Sequence, residues 1–248
     1  MNSNNMKKSL LLLCLTLLGV GNVFAQGFTF GVRGSYTLAN MSGLESNVSD
    51  GKKEGGVNGT GGGVFIKYAV NNKFSVSFDV INNVRGGKYS TSDSLSSLSV
   101  TKNYRQDFRY FEMPLMLNYH ILGDSSLLNP YIGLGISGMA AHYTSLLTNT
   151  SSTGKMSGRD TSFSSEIRTN NTTSYNKVDF SVVAGAGVSY CLLNKYYIGL
   201  DARYNFGLVD LRENPAIYSN TETIQPKPVK NNAISIFLTI GMKLWDGK

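Results

Sequence analysis

The sequence predicts an all-β fold: an eight-stranded antiparallel up-and-down transmembrane β-barrel preceded by a cleaved signal peptide. Three observations predict it. The N-terminus has the parts of an export signal, eight segments alternate apolar and polar residues with period two, and the connections between them alternate short and long. Composition points the same way, with 27 Gly, 14 Tyr and 12 Phe, only 5 Pro, and 16% charged residues. Beyond the N-terminal region no apolar run reaches the roughly 20 residues of a transmembrane helix. A membrane role therefore requires a closed barrel, the other structure that satisfies every backbone group in lipid.

Met6-Lys7-Lys8 supplies positive charge near the start, residues 10–18 are apolar apart from Thr16, and Val23-Phe24-Ala25 ends in a small residue for a cut before Gln26. The expected division is a signal peptide at residues 1–25 and an outer-membrane β-barrel domain at 26–248. Cys14 lies inside the apolar run behind Leu13, which does not suit lipid attachment. Processing leaves Cys191 alone, so no intramolecular disulfide forms.

The first alternating segment is 28–38. The second, 62–70, sets Val64, Ile66, Tyr68 and Val70 against Phe65 and Lys67. Asn71-Asn72 reads as a two-residue hairpin, leading to Phe74, Val76, Phe78 and Val80 against Ser75, Ser77 and Asp79. The fourth segment, 104–119, sets Phe111, Met113, Leu115, Leu117 and Tyr119 against Glu112, Pro114, Met116 and Asn118. The fifth spans 131–142 and the sixth 178–190. The seventh carries Ile198, Leu200, Ala202, Tyr204 and Phe206 on one face, and the eighth Ile234, Ile236, Leu238, Ile240, Met242 and Leu244. Pro114 cannot donate to a ladder, so a bulge or kink is expected in strand four near Glu112. Long loops are expected at 39–60, 84–103, 143–175 and 209–231, and short turns at 71–72, 120–130 and 192–195. In this class the long loops are extracellular.

Alternation alone also fits a soluble lipocalin-like barrel with its apolar face inward. Three features favour apolar-outward. Mid-strand charges balance: Arg33, Lys67, Arg203 and Lys243 against Asp79, Glu112, Asp179 and Asp201, as a narrow lumen requires. Glycines gather on the polar face at 133, 135, 185, 187, 199 and 241, where a small barrel needs room. Aromatics gather at segment ends: Tyr68, Phe74, Tyr119, Tyr190 and Tyr196 beside the short turns, and Tyr36, Phe108, Tyr204 and Phe206 toward the long loops. The eight charges are read as a structural lumen network, with Glu112, Asp201, Arg203 and Arg33 at its centre.

Tyr110-Phe111-Glu112-Met113-Pro114-Leu115-Met116-Leu117, Pro130-Tyr131-Ile132-Gly133-Leu134-Gly135, Gly185-Ala186-Gly187-Val188 and Arg203-Tyr204-Asn205-Phe206-Gly207-Leu208 occur in an order that resembles the PorT-like outer-membrane β-barrel proteins of Bacteroidetes. The resemblance implies an eight-stranded barrel with a plugged lumen, and for PorT itself an association with protein secretion. The chain departs from the pattern in strand three, where Phe78-Asp79-Val80 and Val84-Arg85-Gly86-Gly87 stand in place of a Pro-Glu pair and a Gln-Lys-Gly loop entry.

Catalytic chemistry is sparse. His120 reads as a turn residue and His142 as a rim residue, although His142 with Tyr143, Thr144 and Ser145 has the residue types of a rim hydrolase or acyltransferase. No His/Cys spacing suits a metal, no cofactor is expected, and Gly61-Gly62-Gly63 lacks the Lys-Ser/Thr of a phosphate loop. Removing Lys7 and Lys8 lowers the formal +7 of the chain to near +5. Lys52, Lys53, Arg85, Lys88, Lys102, Arg105, Lys155, Arg159, Arg168, Arg212, Lys227 and Lys230 are assigned to loops, where they suit lipopolysaccharide headgroups or simply solubility. Nucleic acid is not an expected partner, and Asp93-Ser94-Leu95 resembles an O-glycosylation acceptor. The favoured function is a non-enzymatic outer-membrane barrel with a filled lumen and interacting loops. The partners expected are outer-membrane lipid and lipopolysaccharide, together with an extracellular or secretion-machinery protein. A PorT-type export accessory and a small lipid-modifying enzyme are the alternatives.

Overall fold

The computed structural model describes residues 27–43, 52–95, 98–124, 126–156, 159–170, 175–193, 195–212, 217–218, 223–224 and 227–244. The signal-peptide assignment lies outside them. The elements are all strands: β1 (Gly27–Ser42), β2 (Lys52–Ala69), β3 (Phe74–Leu95), β4 (Leu98–His120), β5 (Leu128–Met156), β6 (Arg159–Asn170), β7 (Val178–Leu192), β8 (Tyr196–Gly207), β9 (Ile217–Tyr218), β10 (Thr223–Ile224) and β11 (Lys230–Lys243). The main sheet runs β4-β3-β2-β1-β11-β8-β7-β5-β6, and a further β4–β5 pairing closes it. Eight strands thus form an antiparallel ring, and β6 hangs on β5 outside it. Closure leaves the ring itself with no edge strand, so each ladder has a partner on both sides.

Alternation sets the two faces. On β8 every second residue is buried, and from Phe108 to His120 on β4 buried and exposed residues alternate without a break. Phe111, Met113, Leu115, Leu117 and Tyr119 point outward and are 40–53% exposed. Glu112, Met116, Asn118 and His120 point inward and are buried. The ring is therefore apolar outside and polar inside, the inverse of a soluble barrel. Glycine makes room where large inward side chains cross. A Cβ on Gly187 would lie 2.7 Å from the Tyr131 ring, and one on Gly241 would lie 2.9 Å from that of Phe65.

Four expectations are corrected. First, the long-loop ranges are substantially strand. β3 and β4 pair out to Leu95 opposite Leu98, β4 and β5 out to Leu98 opposite Gly154, and β5 and β6 out to Met156 opposite Arg159. These stretches are rich in Ser and Thr on both faces, so they carry no apolar alternation to read. β5, at 29 residues, far exceeds the 9–11 or so that a tilted strand needs to cross hydrocarbon. β3, β4, β5 and β6 continue past the ring as a four-stranded sheet.

Second, the turn after β2 is longer than two residues. It spans 70–73, with Asn71 Oδ1 accepting from the amides of Lys73 and Phe74. This is an Asx turn, which asparagine forms with its own side chain. Third, Pro114 causes no register shift. The β3–β4 pairing skips from Phe78–Leu115 to Ile81–Glu112 in unchanged register, so the missing donor opens a gap in the ladder. The bulge lies further along, between Arg109 and Tyr110, where β5 has one extra residue at His142. Fourth, Phe108 is fully buried inside the ring and belongs to no outer girdle. It lies an even number of residues from Glu112, so period two turns it inward.

Because ring pairing on β5 ends with Ala140 opposite Val178, the extension is a separable addition. Replacing residues 146–168 with a short Gly/Ser turn is expected to leave the ring folded. The check is the mobility of the detergent-purified protein on a gel with and without boiling. Loss of the heat-dependent shift would show that the extension supports closure.

Candidate functional site

The interior is built in three levels, each set by the inward phase of the strands. At mid-height, Arg33 (β1), Asp79 (β3), Asp201 and Arg203 (β8) meet. Asp79 Oδ2 accepts from Arg33 Nη1 at 3.0 Å and from Arg203 Nη1 at 2.5 Å. Arg203 Nε donates to Asp201 Oδ1 at 2.8 Å, and Arg33 Nη1 lies 4.0 Å from Asp201 Oδ2. All four are buried. Aromatic rings flank the cations: Arg33 sits 4.6 Å over Phe65, and Arg203 4.9 Å over Phe237. What remains between these groups is a narrow gap bordered by Lys67, Ser77 and Tyr131.

Toward the short turns, Lys67 donates to Asp124 at 2.5 Å, and its ammonium lies 4.7 Å over the Tyr197 ring. His120 joins them, 3.7 Å from Asp124, with its ring nitrogens bonded to Ser75 Oγ and Asn129 Oδ1. Burial pushes the Asp124 carboxyl up, but Lys67 and His120 together hold it below the usual carboxylate range, with Lys243 adding to the effect. Lys243 is half-buried at the end of β11. His120 is thus a buried member of this cluster, where the sequence suggested only a turn residue.

Toward the long connections, Glu112 pairs with Arg85, Nε to Oε1 at 2.6 Å. Arg85 was assigned to a loop, but it lies on β3 and is 1% exposed. Above this pair an apolar cap of Met41, Tyr89, Phe108, Tyr110, Met139, Leu211 and Val229 closes the mouth. Leu211 and Val229 come from the connection between β8 and β11, folded over the opening by Leu211 N–H to Val229 O at 2.9 Å. Asp210 pins that fold. It accepts from the Arg212 side chain and from the amides of Arg212 and Val229, and these bonds hold its carboxyl below the usual range.

Of the eight charges singled out in the sequence, the structure brings Arg33, Asp79, Asp201 and Arg203 into one group. Glu112 pairs outside that group, and Lys67 pairs with a turn aspartate. Asp179 is buried with Oδ1 accepting from the Phe180 amide at 2.7 Å, and it makes no ion pair among the described residues. Arg85 and Asp124 completed two of the pairs from segments that show no alternation. His142 stacks on Phe111 at 4.6 Å on the outer face and has no hydrogen bond among the described residues.

A family model described as "Outer membrane protein beta-barrel domain" matches residues 24–213. The chain belongs to this family, and it is an outer-membrane β-barrel protein. Among solved structures, it is similar to OprG of Pseudomonas aeruginosa (13% identity, 89% of this chain and 97% of that one, TM-score 0.41). It is also similar to neisserial surface protein A (15%, 87% and 97%, 0.40) and the N-terminal barrel of Pseudomonas aeruginosa OprF (12%, 89% and 99%, 0.39). No protein of curated function matches the chain by sequence.

Two outcomes follow from the buried pairs. Asp79→Ala leaves two guanidiniums sharing Asp201, and it is expected to destabilise the barrel by ~3–5 kcal/mol in detergent melts. Arg33→Ala/Asp79→Ala should cost less than the sum of the single changes, because each removes the other's stranded charge. Unchanged melting of Asp79→Ala would remove the network's structural role. For Asp124, the folded carboxyl titrates below its ordinary 3.8. Its contribution is therefore complete above that value and is lost as pH falls through the lower folded value. Asp124→Asn should melt well below the wild-type protein at pH 7, and the gap should close as the pH is taken below about 4.

Proposed function

We propose that this barrel is a non-enzymatic outer-membrane protein whose body is an inert, side-chain-filled anchor and whose working part is the four-stranded sheet β3–β6 outside the membrane. One observation carries this reading: the ladders continue in register well past the ring. From Arg109 to Leu98 on β4 alone the extension runs roughly 35 Å at ~3.3 Å per residue. In this class short turns face the periplasm, so the extension faces outward. β6 is its free margin, since its one pairing is with β5. It presents Phe163 and Ile167 exposed, beside Glu166 and Arg168. Exposed apolar residues on an edge strand suit a protein partner that adds a strand, while the neighbouring charges oppose indiscriminate pairing. Export to this location is assigned to the segment 1–25.

The interior supports the inert body. Eight strands leave a lumen that side chains fill, and at mid-height Arg33, Asp79, Asp201, Arg203, Phe65 and Phe237 occupy it. The four segments that resemble PorT-like proteins supply lumen and ring residues: Glu112 pairs with Arg85, Arg203 with Asp79, and Gly187 makes room for Tyr131. We read that likeness as a shared barrel interior, and an export role as a separate question. His142 faces the Phe111 ring instead of a hydroxyl or carboxylate, which weighs against rim catalysis.

The test compares a deletion strain complemented with the full protein or with the 146–168 replacement. Surface adhesion and cross-linked partners are expected to return with the full protein alone. Restoration by both would place the function in the barrel body. A changed lipid A profile on deletion would favour an enzyme, and a fall in secreted proteases would favour export.

A further inference from the structure

Outward-facing residues of β4 change character in a single step. Tyr119, Leu117, Leu115, Met113 and Phe111 are followed by Arg109, Asp107 and Arg105. The switch marks the outer limit of the apolar belt, and cross-strand register gathers further cations at that limit. Arg105 lies opposite Lys88 on β3 and Leu147 on β5, and Leu147 lies opposite Arg168 on β6. Directly paired residues point to the same face, and neighbouring strands are about 4.8 Å apart. Lys88, Arg105 and Arg168 therefore stand in one row, two outward-facing positions beyond Arg109.

The bulge adds to the site. An extra residue in one strand re-aims a side chain, and here it leaves both His142 and Tyr143 beside Arg109. His142 stacks on Phe111, and Tyr143 Oη donates to Asn170 Oδ1 at 2.9 Å. These residues line an open groove of about 590 Å³ that also takes in Asn58, Thr60 and Arg168. The charge in it is not cancelled. Asp107 accepts from Arg105 Nε at 2.9–3.0 Å, whereas Arg109 and Arg168 are exposed and form no ion pair among the described residues. Glu166 lies two residues further from the belt. Elsewhere at the same limit the outward residues are neutral on β1 (Asn40 and Ser42), and on β11 Asn232 is followed by Lys230, whose ammonium lies 5.8 Å over the Phe206 ring. Arg105, Arg109 and Arg168 are the cations that share the groove.

We propose that this groove binds the phosphorylated headgroup of an outer-leaflet glycolipid of the lipid A class. Arg109 and Arg168 hold the phosphate, His142 and Tyr143 flank the sugar, and the acyl chains run down over Phe111 and Met113. A guanidinium matches a phosphate with two parallel donors, and headgroup phosphates lie where the apolar belt ends. Here three guanidiniums, Arg105, Arg109 and Arg168, line one groove beside an apolar slope. The inference rests on the membrane placement; because Arg168 also lies on β6, it is tested by point substitution in the intact protein and not by the 146–168 replacement.

The test is native mass spectrometry of the detergent-purified barrel titrated with bisphosphorylated lipid A, its dephosphorylated form, and inorganic phosphate as a competitor. The bisphosphorylated lipid is expected to bind at least about tenfold tighter than the dephosphorylated one, as loss of a charge-assisted pair implies. Arg109→Gln/Arg168→Gln should abolish that difference. Lys102→Gln/Lys227→Gln, with equal charge removed elsewhere, should keep it. Heat-dependent gel mobility confirms that each variant is folded; should the double variant fail it, Arg109→Gln and Arg168→Gln singly carry the test, each losing about threefold. Equal binding of the two lipids, an unchanged Arg109→Gln/Arg168→Gln variant, or equal loss in the lysine control would overturn the proposal. Displacement of the lipid by millimolar inorganic phosphate would assign the groove to a soluble anion instead.

Discussion

Asp79 accepts hydrogen bonds from two guanidiniums inside the ring, and the rest of the ring is arranged so that neither cation is left unpaired. A buried charge without a partner costs several kcal/mol, and seven of the eight inward charges read from the sequence, all but Lys243, are buried in this ring. The pairings explain why inward positions far apart in the chain depend on one another. Arg33 and Asp79 are 46 residues apart, and Arg203 and Asp79 are 124 apart. The Arg33–Asp79 and Arg203–Asp79 pairs also tie together strands that are not neighbours in the ladder, so these charges brace the ring across its interior as well as filling it.

Pairing alone would leave the stems of these side chains loosely packed. Phe65, Phe237 and Tyr197 fill that space and lie beneath the cations, so one ring both packs the lumen and stabilises the charge. Glycine at 187 and 241 is the counterpart: where Tyr131 and Phe65 cross the lumen, the facing strand gives up its side chain. Closure at the outer mouth uses a different principle. Met41, Phe108, Tyr110, Leu211 and Val229 are apolar and exclude water from the charged level below.

How much of this was legible depended on whether lipid was present to impose a pattern. Where strands cross hydrocarbon, one face must be apolar and the other must not, so Ile234 to Leu244 or Phe111 to Tyr119 could be read residue by residue. Inward charges on those strands, such as Asp79 and Arg203, were legible for the same reason. Outside the belt neither face is constrained to be apolar. Ser92 can face Thr101 across a ladder with no alternation to announce it, and β6 was invisible. Arg85 and Asp124 were missed because they lie where the pattern fades, although their partners Glu112 and Lys67 stood out. Leu211 and Val229 are short apolar stretches in a long connection, and periodicity cannot signal a plug made of single residues.

The same boundary explains why the extension exists at all. In lipid an unpaired backbone group is prohibitive, so the ring must close. In water a backbone hydrogen bond contributes only about 1 kcal/mol net, too little to order a polar hairpin by itself, since isolated hairpins are marginal. β3, β4 and β5 enter the water already aligned by the ring, and the entropy of finding register has been met within the membrane. Each further Ser or Thr then extends a ladder that is already in place. The consequence is a free margin at β6, the one strand of the main sheet that the ring does not cover, and it is there that the sheet carries Glu166 and Arg168 beside Phe163 and Ile167. The closed barrel solves the edge problem in lipid by having no edge, and its extension recreates one at β6.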